Sequence, residues 1–250
     1  MSGHSKWASI KHKKAATDAK RGQLFTKLAR AIAVAAREGG GDPDANYTLA
    51  AAIEKAKSYS MPKDNIQRAI DRGAGGGGDD EQIERVVYEG YGPGGAAIMV
   101  EALTDNRNRT GAEVRHAFDK HGGGLGEPGS VAWQFEKKGV VVVDSERYGE
   151  EDLIAAIDAG ADDVASDGDL LKVTSEPASL AGIREALERA GVKVQSAELA
   201  MEPSAIVEIH GEAEARALIR LIEALDDHDD VEAVHANFDI AESLLEQAVA

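Results

Sequence analysis

Apolar residues recur at helical spacing through the first 78 positions, and beyond them segments of strand spacing interleave with helical ones. Leu24, Leu28, Ala31, Ile32 and Ala35 fall at i, i+4, i+7, i+8 and i+11, which lays one apolar stripe along a helix. Leu49, Ala52, Ile53 and Ala56 make a second stripe, and Ile66, Ala69 and Ile70 a third. The run GGGDPD at 39–44 separates the first two helices, and Asp44 is the expected N-cap of the second. Pro62 suits the first turn of the third helix, where its missing N–H costs nothing, and Gly73 supplies the stop. GAGGGGDDE at 73–81 reads as a flexible linker closing a small helical domain.

From Ile83 the period shortens. Residues 85–91 and 96–103 read as strands joined by a GPGG turn, whose glycines can take positive φ. Thr104 or Asp105 is expected to cap a helix reaching about residue 121, with Val114 and Phe118 on its buried face. After the loop GGGLGEPGS come strands at 131–135 and 140–144, a helix near 150–159 and strands at 163–166 and 170–174. A helix near 178–190, a strand at 193–200, a strand at 205–210, a helix at 212–225 and a strand at 231–238 complete the chain. The order across 139–204 is βαββαβ, a complete sandwich by itself. Segment 83–138 lacks a second helix and a last strand, and 205–250 supplies both. The expected fold class is therefore α+β. A basic helical domain (1–80) precedes an α/β middle domain (81–138 with 205–250), into which an acidic, ferredoxin-like α/β domain (139–204) is inserted.

Charge sharpens that division. The whole chain is −17, yet its first forty residues hold nine Lys or Arg against two acids. Up to Arg72 the local net is +7, and the remaining 178 residues carry −24. A basic end on an acidic body fits one region meeting a polyanion while the rest stays away from it. Lys6, Lys11, Lys13, Lys14, Lys20, Arg21, Lys27 and Arg30 are the candidate phosphate contacts. If roughly five to seven of them neutralise a single strand, log K should fall against log salt with a slope of about −4 to −5. Lysine, a point charge on a flexible stem, suits backbone contact better than base reading. Trp7 either stacks on an unpaired base or packs on the helical domain and pins the arm, and His12 is a further candidate contact. Asn65, Gln67 and Arg68 in the third helix could read bases, although phosphate contact alone accounts for the residues seen.

The segment TDNRNRT at 104–110 is a second candidate. Asn106, Arg107 and Arg109 stand at a helix N-terminus, where free N–H groups and the helix dipole favour an anion. These arginines either hold a phosphate or pair with carboxylates of the acidic body. Other chemistries find little support. The chain has no cysteine, which excludes disulfides and thiolate sites, and the seven histidines lack metal-ligand spacing, so no metal or cofactor is expected. The loop GGGLGEPGS lacks the Lys-Ser/Thr of a phosphate-binding NTPase loop, and no nucleophile motif is present, so no enzyme and no small-molecule substrate is expected. No apolar run approaches the roughly 18–20 residues that cross a bilayer. A cytoplasmic monomer without membrane contact is the expectation.

Four segments together carry a family resemblance. GHSKWASIKHKKAATDAKRGQLFTKLAR at 3–30, MPKDNIQRAIDRG at 61–73, YEGYGPGGAAIMVEALTDNRNRT at 88–110 and KHGGGLGEPGSVAWQFEKKG at 120–139 resemble the YebC family, which includes the mitochondrial translational activator of cytochrome c oxidase. Ser9 and Lys13 depart from the family's usual Asn and Arg while keeping polarity or charge. The resemblance implies three domains, one inserted in another, and a non-enzymatic role with nucleic acid. It implies either a ribosome-associated translation factor that binds rRNA or tRNA and relieves stalling at proline-rich sequences, or a DNA-binding transcriptional regulator.

Overall fold

The computed structural model describes residues 18–76, 83–241 and 243–245, and these pack as two compact units. The first unit takes residues from 28–78 and 137–201. Its helices are α1 (Asp18–Gly39, whose first turns lie outside the unit), α2 (Tyr47–Ser58) and α3 (Lys63–Asp71). Most of each apolar stripe is buried, with Leu28, Ala31, Ile32 and Ala35 from α1, Leu49, Ile53 and Ala56 from α2, and Ile66 and Ala69 from α3, while Leu24, Ala52 and Ile70 are half-buried. Asn46, not Asp44, caps α2. Its Oδ1 accepts from Leu49 N (3.1 Å) while its Nδ2 donates to Ala35 O and Gly40 O, both at 2.9 Å. A carboxylate cannot donate, so only an amide closes the end of α1 and the start of α2 with one side chain.

The same unit holds a four-stranded sheet. Its strands are β4 (Phe135–Asp144), β5 (Ala161–Asp167), β6 (Leu170–Ser175) and β7 (Val194–Pro203), with β1 to β3 earlier in the chain. Their order is β5-β6-β4-β7, the ferredoxin-like arrangement. Two helices, α5 (Ile154–Asp158) and α6 (Leu180–Arg189), cover it. Val141, Val143, Leu171 and Val173 meet Leu153, Ala156, Ile183 and Leu187 in an aliphatic core.

The second unit comprises 83–136 and 202–245, with the first turns of α1. Strands β1 (Glu84–Tyr91) and β2 (Ala97–Thr104) form an antiparallel hairpin, Glu84 facing Thr104 and Tyr91 facing Ala97. The turn between them needs Gly94 (φ 74°) and Gly95 (φ 79°), a backbone that other residues rarely adopt. The two-residue β3 (Gly124–Leu125) flanks only the end of β1, and β9 (Val231–Ala236) pairs antiparallel with β2. The sheet order is β3-β1-β2-β9. Helices α4 (Arg107–Lys120) and α7 (Glu212–Asp226) bury Val114, Phe118, Leu218, Leu221, Ile222 and Leu225 against Ile98 and Val100. The short β8 (Val207–Ile209) and β10 (Phe238–Ile240) pair in parallel beside this sheet.

Two expected strands differ in the structure. Residues 131–135 are not a strand; a 3-10 turn at Ala132–Gln134 leads into β4, which runs unbroken from Phe135. The expected strand at 231–238 divides into β9 and β10 at Asn237, whose Oδ1 accepts from Ala97 N at 2.7 Å and whose Nδ2 donates to Gln134 Oε1 at 3.1 Å. Packing leaves no room for a side chain at Gly90. A Cβ there would stand 2.6 Å from Gly124 O and 2.8 Å from Phe118 Cε1, so Gly90→Ala should cost about 2 kcal/mol by overpacking, read as a lower urea midpoint.

Candidate nucleic-acid interface

Lys6, Trp7, Lys11, His12, Lys13 and Lys14 lie outside the described residues, as do the side chains of Lys20 and Arg21. Lys27 and Arg30 are described, and both are half-buried with partners of their own. Lys27 Nζ donates to Asp226 O at 2.6 Å, and one turn earlier Gln23 Nε2 donates to Asp227 O at 3.0 Å. Lys27 therefore ties the first turns of α1 to the end of α7 within the same unit. The base-reading candidates of α3 are tied to their own helix. Arg68 Nη2 donates to Asn65 Oδ1 (2.5 Å) and Gln67 Nε2 to Asp71 Oδ1 (2.9 Å).

At the start of α4 the residues of TDNRNRT divide into fastening and display. Asn106 is the N-cap, accepting from Arg109 N at 3.1 Å, in place of Thr104 or Asp105. Thr104 instead sits 1% exposed behind the cap, where its Oγ1 accepts from Asn106 N (2.9 Å) and lies 2.7 Å from Thr110 Oγ1. Thr110 donates to Asp230 Oδ2 at 2.7 Å. The same oxygen takes Arg109 Nη2 at 2.6 Å, and Arg109 also reaches Asp105 Oδ1 at 2.9 Å. Asp230 raises the already high pKa of Arg109 further, so that guanidinium is a permanent partner of the buried carboxylate. Arg107 differs. Its side chain is 68% exposed, and a distant contact with Glu84 at 3.8 Å is its nearest carboxylate among the described residues.

Arg107 opens a groove of about 610 Å³ between β1 and α4, closed at one end by Leu125–Pro128 of the glycine-rich loop. Gly111 and Ala112 keep the α4 wall low, and Arg115 and His116 continue it. Positions 107, 111 and 115 repeat at i, i+4 and i+8, so both arginines share one helix face. Arg115 meets no carboxylate within 4 Å among the described residues. Tyr88 forms part of the floor and donates its hydroxyl to Arg107 O at 3.2 Å. Burial raises the Tyr88 pKa, which keeps that hydroxyl a neutral donor. Just past the groove, His121 is held below its ordinary pKa, first by burial and then by Lys120, Arg220 and His116. The α4 wall of the groove thus carries two arginines, with Asp119 and Glu127 as the acids at its far end.

The loop that closes the groove is shaped by one carboxylate. Glu89, 7% exposed, accepts from Gly129 N (2.7 Å) through Oε1, and from Val131 N (2.8 Å) and Ala132 N (2.7 Å) through Oε2. Burial pushes its pKa up, but the three backbone donors outweigh burial and hold it below the usual carboxylate value. No role for Glu89, Arg115, Tyr91 or Trp133 is apparent from residue type alone; the helical spacing of Arg107, Gly111 and Arg115 is the signal that could have found the α4 wall.

The family profile described as the TACO1/YebC N-terminal domain matches residues 5–76, and that of the TACO1/YebC second and third domain matches residues 83–238. The chain belongs to the TACO1/YebC family. Among TACO1/YebC relatives, a protein of Rubrobacter xylanophilus named probable transcriptional regulatory protein is 57% identical over 246 residues, covering 98% of both chains. One of the same name from Pelotomaculum thermopropionicum is 52% identical, covering 96% of this chain and 99% of its own. The crystal structure of a conserved hypothetical protein from Aquifex aeolicus superposes with a TM-score of 0.80 at 48% identity, over 90% of this chain and 93% of that one. The TACO1/YebC fold, helices followed by antiparallel α+β sheets, is thus shared with an experimental structure. Among the described residues no helix is long and apolar enough to cross a membrane.

Proposed function

We propose that this chain is a non-enzymatic, nucleic-acid-binding regulator of gene expression that acts on the ribosome as a translation factor, contacting rRNA or tRNA. The observation that carries the proposal is the α4 wall of the groove. In a chain of net charge −17, Arg107 and Arg115 stand exposed on one helix face, Arg107 with only a 3.8 Å contact to the exposed Glu84, beside a floor that holds Tyr88. Two guanidiniums eight residues apart are about 12 Å apart along the helix axis, a spacing that tracks a phosphate chain and does not read one base pair. The basic N-terminal segment adds lysines of the kind that contact phosphate without reading sequence. The mechanism is positioning, with cations fixing RNA geometry and no bond made or broken.

A DNA-binding transcriptional regulator is the second reading, favoured by the names of the relatives. Against it stand Asn65, Gln67 and Arg68, whose polar ends are engaged within α3 and are not held out toward base edges. Sedimenting the purified protein with ribosomes through sucrose, over a salt series, separates the two. Salt-sensitive pelleting is the expected result. A sequence-dependent footprint on duplex DNA with no ribosome pelleting would reverse the choice.

A further inference from the structure

Trp133 is 75% exposed, the most exposed large apolar side chain among the described residues. It is nevertheless fixed. Its indole Nε1 donates to Ser130 O at 3.1 Å, and the hydroxyl of Tyr91, 41% exposed, donates to the same carbonyl at 3.0 Å. Gln134 Nε2 reaches the Tyr91 hydroxyl at 3.4 Å, and the loop beneath is the one Glu89 clamps through Gly129, Val131 and Ala132. The only polar atom of the indole is already used, so the ring offers solvent nothing but its π faces and edge. A large aromatic held outward in a preset orientation loses little freedom when something stacks on it. The loop is continuous with the candidate interface, since its residues 125–128 close the groove whose other wall carries Arg107 and Arg115.

We infer that Trp133, with Tyr91 beside it, is a stacking platform for an unpaired base of the strand whose phosphates the α4 wall attracts. This rests on the nucleic-acid reading above and assigns to it a site that the charge pattern does not reveal. Stacking is tolerant of base identity, because every base has a π face, and its contribution does not depend on salt as phosphate contacts do. The two contributions are therefore separable in one titration.

The test uses the full chain carrying Trp7→Phe, which leaves Trp133 as the only tryptophan of the two in the sequence. Titration with a twelve-nucleotide oligoadenylate is followed by tryptophan fluorescence and by anisotropy of the labelled oligonucleotide at four salt concentrations. Quenching of Trp133 on saturation is expected. Trp133→Ala should weaken binding about tenfold at every salt concentration with an unchanged salt slope, and Trp133→Phe should restore most of the loss. An oligonucleotide that binds without quenching, or with equal affinity after Trp133→Ala, overturns the platform and leaves the nucleic-acid reading standing. Failure of the chain with both tryptophans intact to bind any labelled oligonucleotide by anisotropy overturns that reading as well.

Discussion

Glu89→Ala is expected to lower the thermal midpoint of the protein by about 6–12 °C, the largest stability loss from any one polar side chain described above. Its carboxylate satisfies three backbone N–H groups within 2.8 Å, in a position only 7% exposed. Charge-assisted bonds of this kind are each worth about 1.5–3 kcal/mol, and unpaired donors left behind add a desolvation penalty. Some of that is recovered as water enters the loop, so about 3 kcal/mol is the expected net cost, converted at about 2–4 °C per kcal/mol for a chain of this size. Glu89→Gln should fall between, because one side of the amide presents donors where the backbone also donates. The charge makes the loop pH-sensitive in a definite direction. The folded pKa of Glu89 lies below its unfolded value, so its stabilisation is complete above the ordinary carboxylate range and is lost as pH falls through the folded pKa. Acid titration of the Trp7→Phe chain followed by Trp133 fluorescence should show the loop loosening only at pH below the ordinary carboxylate range, and Glu89→Gln should remove that transition.

Reversing Lys11, Lys13 and Lys14 to Glu should weaken binding to single-stranded RNA about 50- to 100-fold near physiological salt. Each phosphate contact on a single strand contributes about 0.7 to the salt slope, so removing three should reduce its magnitude by about 2. The affinity loss follows from the same slope, read between molar and physiological salt. Anisotropy in a salt series measures both quantities together. Combining the reversal with Arg107→Glu and Arg115→Glu should flatten the slope further by about 1.4 if both arginines also neutralise phosphates. An unchanged slope after all five reversals would remove the electrostatic basis of the proposed function.

Much of the architecture was legible before any coordinates. The stripe Leu28, Ala31, Ile32 and Ala35 can only be one face of a helix, and the βαββαβ order of the acidic segment leaves few ways to close a sheet. The misses share a physical cause: they depend on partners distant in sequence. The stretch VAWQF has the composition of a strand, but Glu89 takes the N–H groups of Val131 and Ala132 that a ladder would need. Asp44 looks as good a cap as Asn46 until the end of α1 requires a donor at the same place. Arg107 and Arg109 are two residues apart and chemically alike. Only the position of Asp230, 121 residues on, decides that one is fastened and the other displayed.

The pairing of β2 with β9 has a consequence during synthesis. Val100 faces Val234, and Asp230, which holds Arg109 and Thr110, arrives with that same late stretch of chain. Until those residues leave the exit tunnel, β2 keeps an open edge of apolar character and the first turn of α4 has no anchor. Such an edge is a template for wrong partners. Chains interrupted shortly before residue 230 are therefore expected to aggregate or to be degraded, and not to persist as a partly folded form.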